Sequence, residues 1–438
     1  MSVELAEPPF PAAADVAIAR QPIHDRHARV VGYELLFRGV PGADGRDPLD
    51  DERAAATVIA ETFAGRGLDA VVGAAAAHVR LTRRFLVDRH ALALPVERVV
   101  LEVEPPAPRD TAAVEALELL AGQGRRLSLR CDPHGPPPGP ALTRLAHSVK
   151  LDVGALSPQE LAAAADRFGA AAPLLVAAGV DTPALERRCR ELGFHCFQGF
   201  WFCSPEIVAG QTPPTARLAE LRSLAGLYAQ TLTFEEFERI IARDVGLSYR
   251  LLSYLNSAFF NLPRHVGSVR EALMMLGMKA VRRWATLIAL SAAEDKPSEL
   301  TVTALVRARL CELIGRRRPS PTAGADAFFT VGLFSVIDAM MDAPLDQLLA
   351  ALPLTAEVRA ALLGRDGAMG DALAAAVAYE RGDLATVAQR LPGLALGAPY
   401  LAAVRWADAA CGALDAREEE SGQAGEEGDG DDDGSSAA

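Results

Sequence analysis

Residues 148–202 read SVKLDVGALSPQELAAAADRFGAAAPLLVAAGVDTPALERRCRELGFHCFQGFWF. Three runs in this stretch, Ser148–Leu151, Pro173–Ala177 and Cys196–Phe202, are short and mostly apolar and read as strands buried on both faces. Helix signals separate them. Ser157-Pro158-Gln159-Glu160 is a capping box with proline at the first helical position, and Gly169 suits the end of that helix. Thr182-Pro183 opens a second helix that Gly193 closes just before the Cys196 run. Strand, helix, strand, helix, strand means an α/β fold with a mostly parallel sheet, open or closed into a barrel.

The same grammar extends upstream. Val16–Ala19, Val30–Phe37, Arg98–Leu101 and Arg126–Leu129 are further strand candidates, so residues 15–208 form one α/β domain. After Pro205 the pattern changes. Residues 209–216 (AGQTPPTA) are a linker by their glycine and paired prolines. From 217 to 412 nearly everything has helical period: Thr233-x-x-Glu236 and Ser268-x-x-Glu271 are capping boxes, and Leu251, Leu252 and Leu255 share a helix face. Pro319-Ser320-Pro321-Thr322 and Pro344 mark loops in this all-α domain. Residues 413–438, rich in Glu, Asp, Gly and Ser, are expected to be a disordered acidic tail.

Composition narrows the function. The net charge is −13, yet the last 24 residues hold ten acids against one base, leaving 43 basic and 47 acidic residues in the body. A nearly neutral body offers no case for nucleic acid held by counterion release. The six cysteines, at 131, 189, 196, 203, 311 and 411, contain no C-x-x-C pair and are no disulfide framework. No apolar run reaches the roughly 18–20 residues of a membrane span, and the first residues lack a signal-peptide pattern. The chain reads as cytoplasmic and reduced. There is no Walker-type loop, no G-x-G-x-x-G and no H-E-x-x-H. His24-Asp25 is expected to be a turn between two strands. His265 is the one histidine of the helical half, too few for a helical metal phosphohydrolase. Phe259-Phe260 reads as core, and Arg316–Arg318 as a solvated face.

Several motifs in the first half go further. Ala19-Arg20-Gln21-Pro22-Ile23 is followed by Gly32-Tyr33-Glu34-Leu35-Leu36-Phe37-Arg38, then Leu101-Glu102, Val149-Lys150-Leu151-Asp152, Gly179-Val180-Asp181-Thr182 and Cys196-Phe197-Gln198-Gly199-Phe200. In this order they resemble an EAL domain, the cyclic di-GMP phosphodiesterase family. In the helical half, Asp244–Ser248, Leu255–Phe260, Leu262-Pro263 and Ser268–Gly277 resemble an HDOD domain, a helical relative of HD hydrolases without their metal-binding residues. The resemblance spans about residues 16–400 and implies a TIM-barrel-like EAL domain, shortened against the roughly 250 residues of a typical (β/α)₈ barrel, followed by a helical HDOD domain.

The resemblance implies a two-metal site, which needs hard oxygen ligands. Glu34 and Glu102 keep two of them, Lys150 keeps the lysine, and Gln198 keeps its place. The rest departs. Arg80 stands where the strand asparagine is expected, and a guanidinium cannot ligate a cation. The Asp-Asp pair falls at Arg130-Cys131-Asp132, leaving at most one carboxylate. Pro105 stands where an acid is expected, and Asp181 replaces a glutamate. The expectation is therefore a catalytically degenerate domain: no catalytic set, with Glu34, Glu102, Lys150, Asp181 and Gln198 as remnants, and no metal or other cofactor. Glu34 is expected to pair with Arg80 or Arg38, and Lys150 with Glu102 or Asp152. Arg38 and Gln198 are the residues for any residual nucleotide contact, Arg38 because a guanidinium reads phosphate with two parallel bonds.

The reading is a bacterial signal-transduction scaffold whose HDOD domain binds other signalling proteins. One alternative is a cyclic di-GMP phosphodiesterase with Mg²⁺ or Mn²⁺ held by Glu34, Glu102, Asp132 and Asp152. Another is a non-hydrolysing cyclic di-GMP receptor. Dimerisation at a barrel edge is left open by the resemblance.

Overall fold

Short runs of branched apolar residues set the first half of the chain. Val99–Val103 is buried at every position and Leu175–Ala178 likewise, as strands covered on both faces must be. The computed structural model describes residues 16–39, 67–88, 94–107, 109–169, 172–206, 227, 232–243, 245–257, 259–260, 262–291, 296–318 and 323–426. The linker at 209–216, the 319–322 loop and residues 427–438 lie outside the described residues.

Eight strands close into a barrel: β1 (Val16–Asp25), β2 (Val30–Gly39), β3 (Ala76–Arg80), β4 (Val99–Val103), β5 (Arg126–Cys131), β6 (Ser148–Asp152), β7 (Leu175–Ala178) and β8 (Cys196–Gln198). From β2 to β8 neighbours are parallel, while β1 is antiparallel to both β2 and β8. The expected shortening shows in both element types: the helices Asp69–Val72 and Arg83–Val87 have four and five residues, and β7 and β8 have four and three. β3 went unrecognised as a run because Ala-Ala-His-Val-Arg carries one branched apolar residue.

The predicted caps form. Glu160 N–H donates to Ser157 Oγ at 3.3 Å and Ser157 N–H to Glu160 Oε2 at 2.8 Å. Thr182 Oγ1 accepts from Leu185 N–H, and Thr233 and Glu236 exchange bonds at 2.9 and 3.2 Å. In the Ser268 box the glutamate reaches back one residue further, to Gly267 N–H.

His24-Asp25 is not a turn. Both residues end β1, and the chain reverses over the next three positions, where Asp25 Oδ1 accepts from the N–H groups of His27 and Arg29. His24 is fully buried against Trp201 and Phe202, ring centroids 5.7 and 5.0 Å away. Burial lowers its pKa to about 4, against the pull of Asp25 and the Phe197 carbonyl. A depressed histidine stabilises the fold above the unfolded pKa of 6.5, and that contribution is lost as pH falls from 6.5 to 4. His24→Phe is therefore expected to remove about 3 kcal/mol of the stability difference between pH 7 and pH 4. Exchange protection of peptides 16–25 and 196–203 at both pH values, corrected for the intrinsic exchange rate, checks this; an unchanged difference rejects it.

The second half is helical. Ser298–Arg317 is buried on nearly all sides by Ala325–Phe334, Gly367–Glu380 and Gly397–Glu426. Gly332 permits a close crossing, since a Cβ there would lie 2.4 Å from the Arg307 carbonyl oxygen. Phe259 and Phe260 join Tyr254, Trp284 and Trp406 in an aromatic cluster, the core role read for them. The final helix, Gly397–Glu426, runs past residue 412 into the stretch read as disordered tail. Among the described residues no helix is long and apolar enough to cross a membrane.

Candidate functional site

Alternation along each barrel strand decides which residues share the interior. On β2 this places Glu34 inside, on β3 His78, on β4 Glu102, on β5 Ser128 and Arg130, on β6 Ser148 and Lys150, and on β8 Gln198. The register sets several of them side by side: Arg130 pairs with Lys150, Glu34 with His78, and Gln21 of β1 with Glu34.

The result is a closed ionic network. Lys150 Nζ donates to Glu34 Oε2 at 3.0 Å and to Glu102 Oε1. One Arg130 nitrogen donates to Glu34 Oε1 at 3.1 Å and to Glu102 Oε2 at 3.0 Å. His78 Nδ1 lies 3.0 Å from Glu102 Oε1, and Gln198 Nε2 reaches Glu34 Oε2 and Gln21 Oε1, both at 2.6 Å. Two carboxylates thus face two cations, with Lys150 2% and Glu102 0% exposed. Burial alone would raise the Glu102 pKa, but Lys150, His78 and Arg130 outweigh it and hold the carboxyl below its usual range. Arg130 is pushed up by Glu34 and Glu102 despite the opposing effect of burial.

Several expectations change here. Glu34 pairs with Arg130 and Lys150, not with Arg80. Arg80 ends β3 at the surface and donates to Glu104 at 2.6 Å. Lys150 meets Glu102 as expected, and Glu34 as well. Arg38 lies in β2 opposite Ala17, and its side chain is outside the described residues. Asp181 is not brought into the network: its Oδ1 accepts from Phe200 N–H at 3.0 Å and its Oδ2 from Arg381 at 2.8 Å. Asp132 is exposed in the turn after β5, bonded to His134 N–H, and Asp152 is exposed at the end of β6. Asp132 and Asp152 thus lie outside the hydrogen-bonded network that holds Glu34 and Glu102. Among the described residues no three of His, Cys, Asp and Glu converge in a way that could hold a metal ion.

The backbone requires glycine at position 199. It sits at φ 148°, and a Cβ would fall 2.1 Å from the Val180 carbonyl oxygen. This close crossing packs the end of β8 onto the segment after β7.

Arg130, His78 and Gln21 were the residues sequence reading missed. A signal was present: Ser128 and Arg130, like Ser148 and Lys150, are polar residues two apart in otherwise apolar strands, which marks the inner face of a small barrel.

A closed eight-stranded barrel with this polar mouth is thus joined to an all-helical unit. Residues 215–344 match the HDOD domain model. The chain is 29% identical over 384 residues to cyclic di-GMP phosphodiesterase CdgJ of Vibrio cholerae, covering 85% of this chain and 86% of that protein. It is 26% identical over 359 residues to the uncharacterized protein YuxH of Bacillus subtilis, covering 80% and 87%. Similar solved structures include the PaMucR phosphodiesterase in complex with c-di-GMP, at 24% identity and TM-score 0.36, covering 47% of this chain and 99% of that one. Another is Klebsiella pneumoniae BlrP1 with manganese and c-di-GMP, at 21% identity and TM-score 0.36, covering 45% and 57%.

Proposed function

We propose that this chain is a cyclic di-GMP signalling protein whose EAL domain does not hydrolyse the dinucleotide and whose HDOD domain binds other signalling proteins. The ligand class is supported by the similarity to CdgJ along most of both chains. The loss of hydrolysis is supported by one observation: the Arg130 guanidinium lies 3.0–3.1 Å from both Glu102 and Glu34.

A two-ion phosphodiester site needs oxygen donors clamped around cations about 3.5–4 Å apart. Here a guanidinium and an ammonium already neutralise the two acids that would serve. At these separations a divalent ion would meet strong repulsion from Arg130 and Lys150. The residues present do not fit a two-metal centre. What they can do is hold the barrel mouth in a fixed, charge-balanced geometry.

A second reading, turnover by a rearranged site, is favoured by the activity in the name of CdgJ. Incubating the purified full chain with cyclic di-GMP and Mn²⁺ or Mg²⁺ separates the two. We expect no linear dinucleotide, with saturable binding by calorimetry that Arg38→Ala weakens at least tenfold. Turnover that Glu34→Ala abolishes would establish the second reading, and a chain that neither binds nor cleaves the dinucleotide would remove both.

A further inference from the structure

The inner residues of the mouth stand directly behind residues that the helical half holds. Gln198 donates to both Gln21 and Glu34 inside the barrel. Strand alternation turns their chain neighbours Arg20 and Tyr33 outward. Arg20 forms a two-pronged ion pair with Asp408 of the final helix, at 2.7 and 2.8 Å, and its guanidinium lies 4.3 Å from the centre of the Tyr33 ring. The Tyr33 hydroxyl donates to Glu299 Oε2 at 2.7 Å, at the start of Ser298–Arg317. Arg20, Tyr33 and Glu299 are all buried.

A separate tie reaches β8. Arg381 follows the Gly367–Glu380 helix and donates to Asp181 at 2.8 Å, with its guanidinium 5.3 Å from the centre of the Phe200 ring. Asp181 accepts the Phe200 N–H, and Gly199 is packed against the Val180 carbonyl, so the segment just after Gln198 is fastened on both sides. Arg381 and Asp408 both lie beyond residue 344, where the HDOD match ends.

We propose that the helices beyond residue 344, together with Glu299, position Gln21, Glu34 and Gln198 from behind, so that docking of the helical half regulates what the barrel mouth binds. Arg20, Tyr33 and Arg381 are positioning residues in this arrangement. It rests on the reading of the mouth as a ligand site. Coupling of this kind is reciprocal: a ligand that tightens the mouth tightens the docking by the same factor.

Hydrogen exchange of the ligand-free full chain tests the mechanical part without any ligand. Arg381→Ala is expected to speed exchange at least tenfold in peptides covering 196–203. Asp408→Asn is expected to do so in 16–25 and 30–36. Peptides from β4 and β5, across the barrel, should be unchanged in both, and Arg381→Lys should recover most of the protection. No change, or equal acceleration in all strands, overturns the proposal, the latter because it reports general destabilisation. Calorimetric titration with cyclic di-GMP then reads the functional part, with Arg381→Ala expected to weaken binding at least fivefold. Wild-type binding that Arg381→Ala leaves intact also overturns it. If the wild type does not bind, the ligand assignment fails while the exchange result still decides whether the helical half positions the mouth.

Discussion

Lys150→Met lowers the stability of the barrel by about 3–5 kcal/mol, the cost of stripping one partner from a buried ionic network. The methionine is an unbranched chain one atom shorter than the lysine, so packing is nearly preserved and the loss is mainly electrostatic. Glu34 and Glu102 are left facing each other with only Arg130 to neutralise both, and Glu102 has no exposure to recover solvation from water. Two domains make a single unfolding transition unsuitable as the measure. Exchange protection of peptides 98–103 and 148–152 reads the barrel alone. A loss below about 1 kcal/mol would mean that the network is solvated and contributes as little as a surface pair. The double variant Glu102→Gln/Lys150→Met should be less unstable than the sum of its parts, because it removes charge from both sides. The acid limb carries the same signature. A carboxylate held below its usual range stabilises the fold above its unfolded pKa of 4.5 and loses that contribution as pH falls. Glu102→Gln therefore flattens the stability profile below pH 4.5.

The second large effect is a gain. Arg130→Asp is expected to raise the affinity of the barrel for Mn²⁺ at least a hundredfold. The guanidinium nitrogen lies about 3 Å from both acids, so the substitution removes a cation and adds an acid at one point. Two unit charges 4 Å apart at an effective dielectric of about 20 interact by about 4 kcal/mol, well above the ~2.7 kcal/mol of a hundredfold change. Arg130→Met, which removes charge without adding an oxygen donor, should give a smaller rise. Electron paramagnetic resonance of bound against free Mn²⁺ measures all three proteins. Equal affinity in the wild type and Arg130→Asp would show that something other than Arg130 governs cation binding in the barrel.

These effects turn on residues whose importance was unevenly visible. Glu34, Glu102, Lys150 and Gln198 stand out in linear sequence, because each is a polar residue set in an apolar strand beside recognisable neighbours. Arg130 was read as part of a displaced acid pair, with Asp132 offered as a remaining ligand. Only the strand bounds resolve it. β5 runs to Cys131, so Arg130 points into the barrel beside Lys150 and Asp132 falls in the turn beyond. A shift of one residue on a strand exchanges inside for outside, and local composition does not resolve that shift. Asp181 shows the complementary error. Its place after a strand was legible, yet its partner is Arg381, 200 residues away in a different domain.

The helix starts, the order of strands and the change to an all-helical second half could all be read from residues a few positions apart, since caps, turns and periodicity act over one turn or one pleat. Closure of the barrel, and with it the meeting of Lys150 with Glu34 across 116 positions and Arg20 with Asp408 across 388, could not. Electrostatic pairing depends on distance in space, and that distance exists only after eight strands have curved through a full circle and a second domain has packed against their outer face.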